Sequence, residues 1–404
     1  MIATASAPRL LVATETYWPE IGGGERQARS LARGLATLGY PVIILTRRSR
    51  AGTARHQCDE SAEVVRLSPS GSGRWRKWLL LVPAFLALWR RRRDYDAVLV
   101  SGFRILGIAA LLARSLTGKP TILKADSRGE LSGEYFHAGL ERAGFNPRSG
   151  MFAVLLRARN ALLRRADAFV ALSREMSKEY LGHGVPAGRV RVIANGVDTR
   201  IFRPASPRER ADLRKRLQLP DGPVAVYTGR LVTYKGLPTL LRAWRMVPDS
   251  TLVLVGEGGG DVHSCEQELK AYVNEHALGG RVRFTGAVER VEDWLRAANI
   301  FVFPTENEAF GLSLAEAMAC ALPAVTTRIG GLQDFVVDGE NALVTPPGNE
   351  APLAAAVRVL LEDEDRCAAI GRAARRTVES RFSLDAVAAA YAKLLDELCR
   401  PPST

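Results

Sequence analysis

Two cations five positions apart, Arg230 and Lys235, each next to a glycine, are the side chains in this sequence best suited to holding a doubly charged anion. Thr228-Gly229-Arg230 closes an apolar run and Lys235-Gly236 opens a helical stretch. Arginine can fork onto two phosphate oxygens, whereas lysine acts as a compact point charge. In a dry site such cations stabilise growing negative charge by on the order of a few kcal/mol each. A pair of solvated surface charges reads the same way, so the anion's other neighbours have to come from elsewhere in the chain.

Residues 304–319, PTENEAFGLSLAEAMA, provide them. A helix opening near Leu312 presents the backbone N–H groups of Gly311, Leu312 and Ser313 to an anion. Glu308, ahead of that helix, can accept hydrogen bonds from sugar hydroxyls. Glu316, one turn inside it, can take both hydroxyls of a ribose diol, because a carboxylate is an acceptor at two oxygens. The same two glutamates do not suit bond hydrolysis: a retaining acid/base pair lies ~5–5.5 Å apart, and eight helical positions span about 12 Å. Gly22-Gly23-Gly24, between a strand and the helix starting near Glu25, is a second anion-binding loop. A plain tight turn has the same residues.

These groups have to be carried by strands and helices in alternation. Apolar runs at 9–14, 41–46, 97–100, 121–124, 168–172 and 190–194 predict one set of buried strands; those at 224–228, 251–255, 282–285, 300–303 and 324–327 predict another. Segments between them have helical spacing, which argues for parallel α/β units. The expected fold is two consecutive doubly wound, Rossmann-like sheets, with ligand at the carboxyl ends of their strands in a cleft between domains. Pro204 and Pro207 mark a linker, which sets expected domains at 1–203 and 204–381, with 382–404 a terminal helix that has no strand after it.

The 404 residues carry a net charge of +13, unevenly distributed. Residues 1–205 hold 33 Lys and Arg against 16 Asp and Glu, and the rest 23 against 27. An excess of positive charge confined to one half points to an anionic partner there. Arg74-Trp75-Arg76-Lys77 precedes twelve uncharged residues from Trp78 to Trp89, closed by residues 90–93, all arginine. As a helix this is about 18 Å, too short for a ~30 Å hydrocarbon core. Segment 75–93 (Trp75 to Arg93) fits a helix lying in an anionic membrane interface, and equally a core helix with a basic cap. Nucleic acid is not expected, since no aromatic residues interleave the basic ones on a strand pair. Five scattered cysteines have no disulfide or metal spacing, and the first residues show no secretory signal, so the cytosol is expected.

Taken together, the motifs resemble glycosyltransferase family 4, retaining enzymes with the GT-B fold, from Leu10 to about Cys399. The marks are Gly22-Gly23-x-Glu25-Arg26, Asn195-Gly196-Val197-Asp198, Gly229-Arg230 with Lys235-Gly236, and Glu308-x7-Glu316, followed by Leu322-Pro323 and Gly330-Gly331. The resemblance implies a nucleotide-diphosphate-sugar donor, no cofactor or metal, and a terminal helix, 382–404, that returns to the first domain. Arg230 and Lys235 would hold the leaving diphosphate. Glu308 and the backbone at Gly311, Leu312 and Ser313 would place the donor sugar, Glu316 the ribose, and Gly22, Gly23 and Gly229 would line the donor site.

Three departures stand out. Many members have a histidine after a first-domain strand, where this chain reads Thr121-Ile122-Leu123-Lys124-Ala125-Asp126-Ser127. Acceptor-side chemistry therefore falls to Asp126 or to backbone. Ala321 replaces a common glycine, and Asp334 a usual glutamate. The expectation is a hexosyl-type transferase acting on a glycan or lipid-linked acceptor of cell-surface glycan assembly, at the inner membrane face. The alternatives are a soluble synthase or phosphorylase of a small glycoside, and a non-catalytic nucleotide-sugar binder.

Overall fold

The computed structural model describes residues 7–20, 22–50, 52–59, 61–70, 78–136, 146 and 150–399. The chain divides into two compact units, Met1–Gly196 with Leu384–Thr404, and Val197–Ser383. Each has a sheet whose central strands are continuous apolar runs, the pattern of parallel strands covered on both faces.

Among the described residues the first unit has β1 (Leu10–Thr14), β2 (Val42–Arg47), β3 (His56–Asp59), β4 (Ala62–Leu67), β5 (Ala97–Ser101), β6 (Thr121–Lys124), β7 (Ala168–Ala171) and β8 (Val190–Val192). Their order is β3-β4-β2-β1-β5-β6-β7-β8. All neighbours are parallel except β3 and β4, which run antiparallel. Those two strands are outside the sequence expectation for a chemical reason: His56-Gln57-Cys58-Asp59 has no apolar run, and Glu63 and Arg66 interrupt the next. Arg66 is nonetheless buried, because its guanidinium donates to the carbonyls of Ala54 and Trp18 and to Gln57 Oε1 at 2.9–3.1 Å.

The helix Gly23–Thr37 turns Gln27, Ala28, Leu31, Ala32 and Leu35 inward, an i, i+3, i+4 stripe. Against it lies the helix Leu384–Cys399 at the far end of the chain, burying Val387, Ala388, Tyr391, Leu394 and Leu395. The two approach closely at Gly34, where a Cβ would stand 2.9 Å from that of Ala388.

The second unit has β9 (Val224–Thr228), β10 (Thr251–Val255), β11 (Val282–Gly286), β12 (Ile300–Phe303), β13 (Ala324–Thr326) and β14 (Leu343–Val344), in the order β11-β10-β9-β12-β13-β14, all parallel. The doubly wound, two-domain α/β class is therefore as expected. The boundaries fall elsewhere, at 196/197 and 383/384 in place of 203/204 and 381/382. Residues 197–203 are tied into the second unit: Val197 N–H donates to the Phe382 carbonyl at 2.8 Å, and Arg375 donates to the Phe202 and Thr199 carbonyls at 2.7 and 3.2 Å. The proline-rich stretch is the start of a helix. Ser206 and Glu209 form a reciprocal capping box ahead of Pro207–Arg216.

Candidate active site

In each sheet the strand order reverses beside the first strand of the unit, at β1/β5 and at β9/β12. Doubly wound sheets bind ligands beyond the carboxyl ends of such strands, and the predicted residues lie on the loops that follow them.

In the second unit, Gly229 and Arg230 follow β9. Gly236 has φ +69°, and a Cβ there would lie 2.0 Å from the Pro304 carbonyl oxygen. The loop after β9 is thus packed hard on the loop after β12, and only glycine permits it. This contact brings Lys235 Nζ to 2.6 Å from Glu308 Oε2, with the two side chains only 13% and 14% exposed. Gly331 donates its N–H to the Glu308 backbone carbonyl at 3.0 Å, and the Ala309 N–H donates to Glu308 Oε1 at 3.1 Å, so the backbone is held and the carboxylate is met at one oxygen by Ala309 and at the other by Lys235. Gly311, at φ +94°, caps the helix Leu312–Ala319. The first-turn N–H groups of that helix, Leu312 and Ser313 among them, have no partner within it. Glu316 lies one turn in and is buried.

Arg230 is oriented differently from Lys235. Its side chain is 61% exposed and forms an ion pair with Asp261, and its guanidinium donates to the Tyr234 hydroxyl at 2.6 Å. Tyr234 joins the two cations, since Lys235 Nζ lies 5.5 Å from its ring. Buried Tyr227, pushed well above its ordinary range by burial, then by the charge of Glu308, donates to the Arg230 carbonyl at 2.9 Å. Sequence reasoning missed Tyr234 and Asp261. Asp261 ends the run Gly256-Glu257-Gly258-Gly259-Gly260 after β10, a glycine-rich post-strand loop that could have been singled out.

In the first unit, Gly22 caps the helix Gly23–Thr37 in extended conformation. A Cβ on it would meet Glu25 Oε2 at 2.2 Å, and Glu25 in turn accepts from the Thr16 hydroxyl. Asp126, past the end of β6, reaches the same corner. A Cβ on Gly24 or Gly102 would stand 3.8 or 2.8 Å from Asp126 Oδ2. Ser101 Oγ donates to Asp126 Oδ1 at 2.7 Å, and buried Lys124 contacts it at 3.3 Å. Asp126 is therefore a held carboxylate at the strand-order reversal, with Ser101 and Lys124 as partners the sequence did not reveal.

Of the basic, tryptophan-flanked segment from Trp75 to Arg93, residues 78–93 are described. Arg74, Trp75, Arg76 and Lys77 lie outside the described residues. The helix is Leu81–Arg90, with Ala84 and Leu88 buried and Trp78, Leu79, Val82 and Trp89 exposed. Among the described residues no helix is long and apolar enough to cross a membrane, and no group of three or more His, Cys, Asp or Glu could hold a metal ion.

Residues 21–201 match the family described as Glycosyltransferase Family 4, and residues 209–377 match Glycosyl transferases group 1. The D-inositol 3-phosphate glycosyltransferase of Xylanimonas cellulosilytica is 34% identical over 56% of this chain and 55% of its own length, so the chain spans about half of that relative. The alpha-maltose-1-phosphate synthase of Mycolicibacterium smegmatis is 31% identical over 69% of this chain and 73% of its own. Among solved structures, sucrose-phosphate synthase of Thermosynechococcus elongatus superimposes with a TM-score of 0.81 and 26% identity, covering 97% of this chain and 99% of that one. HepE of Anabaena, solved with UDP-glucose, shares the fold at a TM-score of 0.77 and 20% identity, over 97% and 100%. With both halves matched in order and a 31% identical relative covered over 73% of its own length, the chain belongs to glycosyltransferase family 4 and has the two parallel-sheet α/β domains of the GT-B fold.

Proposed function

We propose that this glycosyltransferase is a retaining enzyme that moves a hexosyl-type sugar from a nucleotide diphosphate donor to a glycan or lipid-linked acceptor, without a metal ion. The observation that carries the reading is the Lys235–Glu308 pair at 2.6 Å beside the amino terminus of Leu312–Ala319. There Lys235, Arg230 and backbone N–H groups meet the diphosphate while Glu308 accepts from sugar hydroxyls. The bond from the anomeric carbon to the diphosphate oxygen breaks as the acceptor oxygen bonds to that carbon on the same face. The acceptor's proton passes to the departing phosphate oxygen. Asp126 orients the acceptor hydroxyl. Complexes of HepE with UDP-glucose support a nucleotide-sugar donor. A thermal-shift panel of UDP, GDP, ADP and dTDP tests it: at 100 times the dissociation constant the right nucleotide adds roughly 2.7 kcal/mol. No stabilisation by any of the four counts against the reading.

The exposed Trp78, Leu79, Val82 and Trp89 beside exposed Arg90 and Arg93 support attachment to the cytosolic face of an anionic membrane. Flotation with anionic but not neutral vesicles is the expected result; equal behaviour with both removes it. A second reading, synthesis of a small soluble glycoside, draws on relatives named for inositol phosphate and maltose phosphate chemistry. Turnover on a soluble sugar phosphate with no lipid present selects it.

A further inference from the structure

The loop after β6 carries a carboxylate that the reaction outlined above does not use. Glu130 is buried, with its side chain fully enclosed. Its Oε1 accepts the backbone N–H of Asp126 at 3.1 Å and that of Ser127 at 3.3 Å, together with the Ser127 hydroxyl at 3.3 Å. Arg104 Nε, from the loop after β5, stands 3.4 Å from the same oxygen. The other oxygen, Oε2, is enclosed without a hydrogen-bond partner. Behind the loop, Arg159 donates to the Glu130 carbonyl at 3.0 Å, and Glu179 accepts from the N–H groups of Gly129 and Ser132.

A buried carboxylate is costly unless it does something that an apolar side chain could not. Here it grips the backbone of Asp126, the residue held toward the glycine corner. We infer that Glu130 is a positioning residue for the transfer reaction, its carboxylate fixing the backbone at Asp126 and Ser127 so that the Asp126 side chain stays aimed at the acceptor. The inference rests on the reading of Asp126 as the acceptor-side group.

The groups that face Glu130 are Arg104 from the loop after β5, Asp126 from the loop after β6, Arg159 from the helix Gly150–Leu163 and Tyr180 from the helix Arg174–Gly182; next to them, Lys124 pairs with Asp126 and Glu179 holds the backbone of Gly129 and Ser132. Desolvation pushes the Glu130 carboxyl up to about 7; Arg104 opposes this and Asp126 adds to it. The grip is therefore strongest above neutral pH and slackens as the carboxyl takes a proton.

The experiment compares wild type, Glu130→Gln, Glu130→Ala and Asp126→Asn. Turnover of nucleotide sugar is followed from pH 5.5 to 9, with hydrogen exchange on the segment holding Asp126 and Ser127. In wild type, kcat is expected to fall as pH drops through about 7. In Glu130→Gln that limb is absent, kcat is about tenfold lower at pH 8, KM for the donor is unchanged, and the two amides exchange faster. Glu130→Ala shows the same exchange change, larger. Wild-type exchange and a wild-type pH profile in both Glu130 variants overturn the inference. If Asp126→Asn is as active as wild type, the acceptor-side reading fails instead, and the two failures are distinguishable.

Discussion

Lys235 and Glu308 make one device. Each neutralises the other in the structure, and in the proposed reaction Lys235 meets the diphosphate and Glu308 the sugar hydroxyls. Replacing Lys235 by Ala leaves a largely enclosed carboxylate without its cation, at the place where the proposed reaction builds leaving-group charge. We expect kcat to fall by about 10²–10³, with a smaller change in nucleotide affinity because Arg230 and the helix terminus remain. Nucleotide release at saturating donor measures it, and an unchanged rate would reduce the pair to a structural ion pair. Glu130 gives the opposite balance of stability and use. Its folded-state value of about 7 lies above the ordinary 4.5, so the folded protein binds that proton more tightly than the unfolded chain. The stability it contributes is complete below about pH 4.5 and is lost as pH rises through 7, by on the order of 3 kcal/mol. Glu130→Gln should therefore be the more stable protein at pH 8 and lose less on going from pH 5 to 8, as read from urea midpoints. A group that costs stability at working pH, and whose removal also slows turnover, has a functional reason to be there.

At the scale of elements, most strands were legible because a parallel strand buried on both faces is an uninterrupted apolar run. The ladder partners β3 and β4 were not, since Arg66 becomes an inward residue only once carbonyls from Trp18 and Ala54 reach it. The residues proposed for the donor side could be found from motif and resemblance, but their mutual arrangement could not: nothing in the spacing of 235 and 308 says that they touch. What joins them is Gly236. Gly236→Ala puts a methyl 2.0 Å from the Pro304 carbonyl at φ +69°, whereas Gly339→Ala, at φ +72°, meets nothing within 4 Å. The second variant should cost about 1–2 kcal/mol for the left-handed backbone alone. Gly236→Ala should cost roughly twice that, because the loop must also move, and it should lose turnover through separation of Lys235 from Glu308. Equal urea midpoints for the two variants would mean that the contact of the loops is not tight.

For the whole molecule the consequential feature is a covalent detour: the chain builds the first unit, builds the second, and then supplies one more helix to the first. That helix was visible as an apolar-periodic segment with no strand after it, and the resemblance implied its return to the first domain, yet the helix it packs on could not be read, because small residues such as Gly34 and Ala388 leave no periodic signal of the surface they will meet. Leu384–Cys399 buries Val387, Tyr391, Leu394 and Leu395 in the core that also holds Leu31 and Leu35 of Gly23–Thr37. Four large side chains at about 1.5–3 kcal/mol each come to roughly 6–12 kcal/mol, comparable with the whole stability of a domain. Ending the chain at residue 383 should therefore unfold the first unit selectively. In hydrogen exchange, β1, β2 and β5 should lose protection while β9, β10 and β12 keep it, and the truncated protein should still be stabilised by the nucleotide that stabilises the full chain. Protection of β1 equal to that of the full chain would show that the first sheet stands without the returning helix.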